Sequence, residues 1–449
     1  MRKFIHTIRR YLKDTSGVNA IIFAMVLPAL FAAGGLAVDL ANAYNVKNKL
    51  SQALDKAALA TANSVGTEAE LTQIAINFFE ANFRAEGLGV AATPVVTFTE
   101  DTVVVSASAN VNTYFIGIFG SDDLTVTAES EVTRELSGIE VAMVLDVTGS
   151  MAGDNIVALR SASTSFFDIL FSRITDPELL RIGLVPYSSS VNVGPYGLGE
   201  NPDGSFYDTP FVDRPETDQF LNPEDIDYHP TENLEWRGCV LAEPNPDDTL
   251  DDTRSGFQMY RYPRECTRVR FGQCTRVRID PNRNCPTTPV VPLTNNRTQL
   301  QATIDALPTR GHTYGNFGML WGWRLISPEP PFTEGVAYDD PRWEKAVIMM
   351  TDGQNTIHPF YGAYGLSSQS DLTTAAQNSR FVEICENMKQ RGILIYTITF
   401  QSNVPESTRD FYRQCATSPT LYEHAPNDER LQEIFEGIAN QLSRLHISR

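Results

Sequence analysis

Ile139-Glu140-Val141-Ala142-Met143-Val144-Leu145-Asp146-Val147-Thr148-Gly149-Ser150 decides how the second half of this chain is read. A run that is apolar at every position but Glu140 leads straight into one carboxylate and two hydroxyls on a single turn. Short, near-continuous apolar runs closed by turn residues are the pattern of parallel strands covered on both faces. Oxygen ligands gathered where such a strand ends suit a hard divalent cation.

Further along, the runs 182–186, 346–350 and 393–400 repeat the pattern. Segments of helical spacing separate them at 156–171, 297–307, 317–326, 375–391 and 428–445. Such alternation predicts an α/β domain over 138–449 with a doubly wound parallel sheet. In such sheets ligands collect beyond the carboxyl ends of the strands. Asp352 of Thr351-Asp352-Gly353 closes the 346–350 run, and Thr313 lies in Gly311-His312-Thr313-Tyr314-Gly315, where glycines permit tight backbone. Asp146, Thr148, Ser150, Thr313 and Asp352 can therefore converge on one point. Each motif alone is equally well read as a capped strand end or an Asp-Gly turn. All three, in order on alternating elements, outweigh that reading.

These residues resemble the metal-ion-dependent adhesion site (MIDAS) of von Willebrand factor type A domains. That pattern is Asp-x-Ser-x-Ser, a distant Thr and a distant Asp, and Thr148 stands where it has its first Ser. The resemblance implies a bound Mg²⁺, with Ca²⁺ or Mn²⁺ admissible, whose open position takes an Asp or Glu of a protein partner. It implies a binding device and not an enzyme. Asp-x-Thr-Gly-Ser also resembles the aspartate loop of haloacid-dehalogenase-like phosphotransferases, where Asp146 would be a nucleophile. The second downstream acid usual in that group is missing from Thr351-Asp352-Gly353. Ser150 has no His nearby in sequence to form a triad.

Residues 20–38 carry no charge and are interrupted only by Pro28 and Gly34-Gly35, long enough to cross a bilayer as a helix. Arg2, Lys3, Arg9, Arg10 and Lys13 against Asp14 alone predict a cytoplasmic tail at 1–17, with everything after Asp39 on the far side. A cleaved secretory signal would have a shorter apolar core closed by a small-residue site. Beyond the span, Ala43, Val46, Leu50, Ala53 and Ala57 form one helical stripe. The segment 18–64, with Gly17 and the upstream arginine pair, looks like the N-terminal domain of TadE/TadG-like Flp (tight adherence) pilus-assembly proteins. The Gly-x-Thr-x-x-x-x-Gly-x-x-Trp-Gly-Trp run beginning at Gly311 is similar to TadG-type proteins as well. Pilin-type helices carry Glu five residues after a cleaved Gly, and here that position is Ile22. The resemblance implies a single-pass protein of the inner membrane with a periplasmic domain, or one carried to the cell surface or pilus. Its expected partners are other pilus-assembly or pilin-like subunits.

Between these parts, 65–137 reads as a helix (68–84) and a small antiparallel meander whose period is two from Val95 onward. Helix plus meander is what a pilin-like module would offer, and any small α+β linker domain reads the same way. A different function class is also open, a metal-independent structural subunit of a pilus-like or trans-envelope assembly.

An insert of about a hundred residues, 191–296, interrupts the second domain. Residues 200–252 hold sixteen Asp or Glu against Arg214 and Arg237, while 253–285 hold eight Arg against Glu265 and Asp280. The two halves are expected to neutralise each other. The repeat Cys266-Thr-Arg-Val-Arg and Cys274-Thr-Arg-Val-Arg alternates as a strand pair would. With the chain's net charge of −19, nucleic acid is not an expected partner. All six cysteines follow the span, where disulfides persist. Cys385 and Cys415, on helices flanking the 393–400 strand, are expected to pair, leaving Cys239, Cys266, Cys274 and Cys285 to staple the insert in an open order. Zinc is disfavoured because no Cys-x-x-Cys pair exists.

Overall fold

The computed structural model describes residues 18–64, 66–84, 89–99, 102–119, 123–133, 137–174, 176–213, 235–251, 256–263, 265–278, 280–370 and 372–446. The basic tail 1–17 and the acidic stretch 214–234 of the insert lie outside the described residues. Contacts divide the chain into two compact units, Met1–Glu135 and Leu136–Arg449.

The first unit is built on helix α1, Val18–Ala62, about 68 Å long at 1.5 Å per residue. Its sequence sets two environments. The apolar N-terminal half is bare, with Ile21 59%, Phe23 60% and Phe31 68% exposed, and is long and apolar enough to cross a membrane. The stripe Ala43, Val46, Leu50, Ala53 and Ala57 is buried. Helix α2, Glu68–Asn82, begins in a capping box in which the Thr67 N–H donates to Glu70 Oε2 at 2.9 Å. Strands β1 (Gly89–Ala91), β2 (Val95–Phe98), β3 (Thr102–Asn112) and β4 (Asp123–Thr133) make the antiparallel sheet. β3 pairs with β4 along its whole length and with β1 and β2 on its other edge. Alternation sends Val103, Val105, Ala109 and Val111 inward against the α1 stripe, each valine contributing roughly 1.5–3 kcal/mol.

The second unit is the doubly wound α/β domain. Its strands are β5 (Gly138–Asp146), β6 (Leu180–Tyr187), β9 (Val291–Thr294), β10 (Trp343–Thr351), β11 (Leu394–Phe400) and β12 (Tyr422–Ala425), after the insert hairpin β7 (Glu265–Arg270) and β8 (Gln273–Arg278). The order across the sheet is β9-β6-β5-β10-β11-β12, parallel throughout except at the β9 edge. Helices α3 (Asp154–Arg173), α4 (Arg297–Asp305) and α8 (Asp428–Leu445) cover one face. Helices α5 (Gly315–Ile326), α6 (Thr374–Gln390) and α7 (Glu406–Cys415) cover the other. Ala142 and Val144 of β5 pack toward the second set, while Val141, Met143 and Leu145 pack toward the first, which is why the run carries no polar alternation. Trp321 and Trp323 on α5 are core residues, 0% and 2% exposed.

Glu140, the polar member of the opening run, is fully buried and satisfied. The Lys345 ammonium donates to Glu140 Oε2, Arg181 Nη1 lies 3.3 Å from Oε1, and the Val336 N–H donates to Oε1 at 3.1 Å.

Three sequence expectations for this unit meet the structure differently. Val291–Thr294, taken within the insert, is an edge strand antiparallel to β6, so the excursion closes by residue 290. Four residues containing Pro292 look like loop in sequence, and an edge is where proline is tolerated in a sheet. The expected mutual neutralisation of the insert's halves falls in large part on residues outside the described ones. Among the described residues, Arg278 and Arg283 meet Glu265, while Arg268, Arg270 and Arg276 stand exposed on the β7–β8 hairpin without an acidic partner. The cysteines pair as Cys239–Cys285, Cys266–Cys274 and Cys385–Cys415, so the bridge expected between α6 and α7 is present and the order within the insert is settled.

Candidate metal centre

Parallel register brings the polar ends of neighbouring strands side by side. Asp146 is paired with Tyr187 across β5 and β6, and Leu145 with Met350 across β5 and β10, which places Thr351 next to Asp146. The Thr351 hydroxyl donates to Asp146 Oδ2 at 2.8 Å, and the Tyr187 hydroxyl reaches the same oxygen at 3.3 Å. The Thr148 N–H donates to Oδ1 at 2.9 Å. Asp146 is thus held rigidly by its own turn and by both neighbouring strands.

Beyond β5 the chain turns so that the Thr148 and Ser150 hydroxyls sit 3.0 Å apart, while Met151 plugs into the core beneath them. Ser150 Oγ donates to Asp352 Oδ1 at 2.8 Å. The two acids are thereby linked through Thr148 and Ser150, although 206 residues of sequence separate them. Asp146, Thr148 and Asp352 are buried, and Ser150 is exposed, so the cluster opens to solvent on the Ser150 side.

The Thr313 loop is tied to this turn by two backbone bonds, Gly149 N–H to Gly311 O at 3.2 Å and Arg310 N–H to Val147 O at 2.9 Å. Gly311 adopts φ 83°, and a Cβ there would meet Ser189 Oγ at 2.8 Å, so the glycine is required on both counts. Thr313 is buried, and its backbone is clamped. Its N–H donates to Thr356 Oγ1 at 2.9 Å, and its carbonyl accepts from Thr356 N–H at 2.9 Å and from Gln377 Nε2 at 3.1 Å. The structure therefore joins Asp146, Thr148, Ser150 and Asp352 by direct hydrogen bonds and fixes the Thr313 loop against their turn.

Several supporting residues carry no motif. Thr351 and Tyr187 are ordinary strand residues, Gln377 a helix residue and Thr356 a loop residue, and only Thr351, beside Asp352, carries a positional hint. Gln401, just past β11, adopts φ 92°, a strained conformation for a residue with a Cβ, and its amide reaches Asp352 Oδ2 at 3.4 Å.

The electrostatics are lopsided. Burial pushes the Asp146 carboxyl above its ordinary range, against the hydrogen bonds from Thr148, Thr351 and Tyr187. Burial, and then the nearby Asp146 charge, pushes Asp352 up to about 7. No Lys or Arg among the described residues neutralises either. Among those residues no three His, Cys, Asp or Glu cluster either, so an ion here would rest on hydroxyl oxygens beside two carboxylates. Two buried acids without a counter-charge, flanked by aligned hydroxyls, fit a hard divalent cation and fit no other charge the chain supplies.

Residues 17–64 match the family described as Flp pilus-assembly TadE/G-like, which accounts for the N-terminal helix and leaves the rest of the chain outside the match. No curated protein matches the chain. Among solved structures, the pilus adhesin SpaC from Lactobacillus rhamnosus GG is similar at 13% identity and TM-score 0.37, covering 78% of this chain and 34% of that one. This chain thus spans about a third of SpaC's length. The von Willebrand domain of the type V pili tip protein Mfa5 from Porphyromonas gingivalis is similar at 12% identity and TM-score 0.38, covering 70% of this chain and 97% of that one. Proximal thread matrix protein 1 from the mussel byssus, with a zinc-occupied MIDAS motif, is similar at 12% identity and TM-score 0.33, covering 70% of this chain and 47% of that one. At these scores the fold reading rests on the strand order above and not on the likeness.

Proposed function

We propose that this chain is a membrane-anchored Flp/Tad pilus-assembly or adhesion protein whose α/β domain binds a protein partner through a divalent metal. Residues 20–38 anchor it as a single pass in the inner membrane, with 138–449 on the periplasmic side. Asp146, Thr148, Ser150, Thr313 and Asp352 hold the ion, Mg²⁺ by the hardness of their oxygens, with Ca²⁺ or Mn²⁺ able to substitute. The exposed Ser150 side leaves a coordination position for an Asp or Glu of the partner. The role is binding and not catalysis.

The observation that carries this reading is a contrast within one strand. Glu140, near the start of β5, is buried with Lys345 and Arg181 as counter-charges. Asp146, at the end of the same strand, is equally buried, is linked to a second acid through Thr148 and Ser150 and has no counter-charge. Burying a charge is costly unless it is paired, so a fold that pairs one acid and leaves two bare reserves the second place for a cation. When bound, the ion supplies that positive charge and an open position for a carboxylate; the chain's residues fix the site and exclude water from its base.

Pull-down of pilus-assembly proteins from envelope extract tests this. Capture should be lost with EDTA and with Asp146→Ala while the domain stays folded. Capture unaffected by both refutes the metal reading and leaves the chain as a structural subunit.

A further inference from the structure

Where the bare half of α1 ends, the first unit carries a second apolar element. The turn Tyr114-Phe115-Ile116, between β3 and β4, packs on the helix at Gly35 and Asp39. A Cβ at Gly35 would fall 2.3 Å from Phe115 Cγ, so the glycine is the notch that admits this ring. One turn further, the Asp39 carboxylate accepts three backbone N–H groups. Tyr114 donates to Oδ1 at 3.0 Å, and Phe115 and Ile116 donate to Oδ2 at 2.8 Å and 2.7 Å. Asp39 is 1% exposed, yet Tyr114 and Phe115 are 62% and 39% exposed. Three N–H groups of the turn face inward and are satisfied, while Tyr114 is turned out and the Phe115 ring lies on the helix with one side open.

We infer that this turn is a second membrane contact, seated in the outer interface of the bilayer that α1 crosses. The inference rests on residues 20–38 being a membrane span. Gly35 lies within that segment, three residues or about 4.5 Å before its end, so the Phe115 ring is at the depth where acyl chains meet headgroups. Non-helical backbone at that depth must have its N–H groups satisfied by protein. Asp39 satisfies three of them with one side chain. Tyrosine and other amphipathic rings favour the interface, which suits the exposed Tyr114. The occupant of this surface is therefore lipid. The turn would fix the depth of α1 and hold the sheet of the first unit against the membrane.

The test uses the full chain in liposomes containing phospholipids brominated either near the headgroup or near the chain ends. Tryptophan is placed at Tyr114 (Tyr114→Trp) and, as a span control, at Leu30 (Leu30→Trp). Subtracting the parent's emission removes the four native tryptophans. Trp at 114 should be quenched more by the shallow label than by the deep one, and Trp at 30 the reverse. Asp39→Ala, with helix content checked by circular dichroism, should reduce shallow quenching at 114 by severalfold as the turn is released. Quenching at 30 with none at 114 overturns the inference while leaving the span intact. No quenching at 30 overturns the span reading and this inference with it. Unchanged quenching at 114 in the Asp39→Ala background refutes the holding role of Asp39.

Discussion

Removing the metal should make the stability of this protein depend on pH in the opposite sense to ordinary acid denaturation. Asp352 is raised from 3.8 to about 7 by burial and then by Asp146, and Asp146 is shifted in the same direction by burial. A carboxyl whose folded value lies above its unfolded value binds more protons in the folded state between the two. Its contribution is therefore fully present below the unfolded value and is lost as pH rises through the folded one. For Asp352 that window runs from about pH 4 to about 7, at up to ~1.4 kcal/mol per unit, a ceiling of roughly 4 kcal/mol. A divalent cation replaces the protons, and at a hundredfold excess over its dissociation constant it stabilises by about 2.7 kcal/mol. The assay is urea unfolding followed by the buried Trp321 and Trp323, at pH 5.5 and pH 7.5, in EDTA and in Mg²⁺. Ordinary carboxylates are already ionised across that interval, but His312, His358 and His424, lowered by burial, pull stability the other way, and Glu243 and Glu334 are also raised by burial, so the contribution of the pair is read as the difference between the parent and Asp352→Asn. Without metal, the midpoint should fall between pH 5.5 and 7.5. Mg²⁺ should remove most of the fall, and Asp352→Asn should flatten the profile and abolish the response to Mg²⁺. A parent profile that is flat in EDTA and indifferent to Mg²⁺ would refute the reasoning.

Three further outcomes follow from particular contacts. Replacing Cys385 and Cys415 by Ala opens a loop of 30 residues and should cost roughly 3–4 kcal/mol in the chain-entropy model, read from the urea midpoint against the oxidised parent. Lys345→Met leaves Glu140 buried beside only the half-exposed Arg181 and should cost about 3–5 kcal/mol, whereas Glu140→Leu with Lys345→Met should recover most of it. Equal losses in the single and double variants would show that packing and not charge decides there. Gly318→Ala would gain helix propensity on a solvent face, but here the new methyl meets the Tyr187 ring at 2.5 Å. It should destabilise by about 1–3 kcal/mol and weaken Mg²⁺ binding, because Tyr187 is displaced from Asp146. A thermal scan and a Mg²⁺ titration of that variant check both effects.

What the sequence made legible follows from which interactions are local. The parallel strands announce themselves because burial on both faces forbids polar residues, and only Glu140 breaks the run. The α1 stripe is equally plain, since one face packs on β3. The Asp-x-Thr-x-Ser turn is readable because one turn positions all three side chains. The edge strand at Val291–Thr294 hides because pairing on a single side tolerates Pro292. The supporting residues of the site hide for another reason. Tyr187, Thr351, Thr356, Gln377 and Gln401 act through strand register and loop packing, which couple positions 41 to 205 residues apart. The pairing of Cys239 with Cys285 likewise depends on how the insert folds back beside Asn192 and the Ser188–Ser190 turn, and spacing does not encode it. The charge split of the insert is legible, but which of its arginines face solvent is set by the fold, as Arg268, Arg270 and Arg276 on the hairpin show.

The central claim is that two buried acids and their hydroxyl neighbours hold a divalent cation. Titration calorimetry of Mg²⁺ into the metal-free, detergent-solubilised chain, beside the Asp146→Ala/Asp352→Ala variant, tests it most directly. Saturable binding to one site in the parent, absent from the folded variant, is the predicted result. A folded parent that takes up no Mg²⁺, Ca²⁺ or Mn²⁺, or a variant that binds as the parent does, would contradict the account.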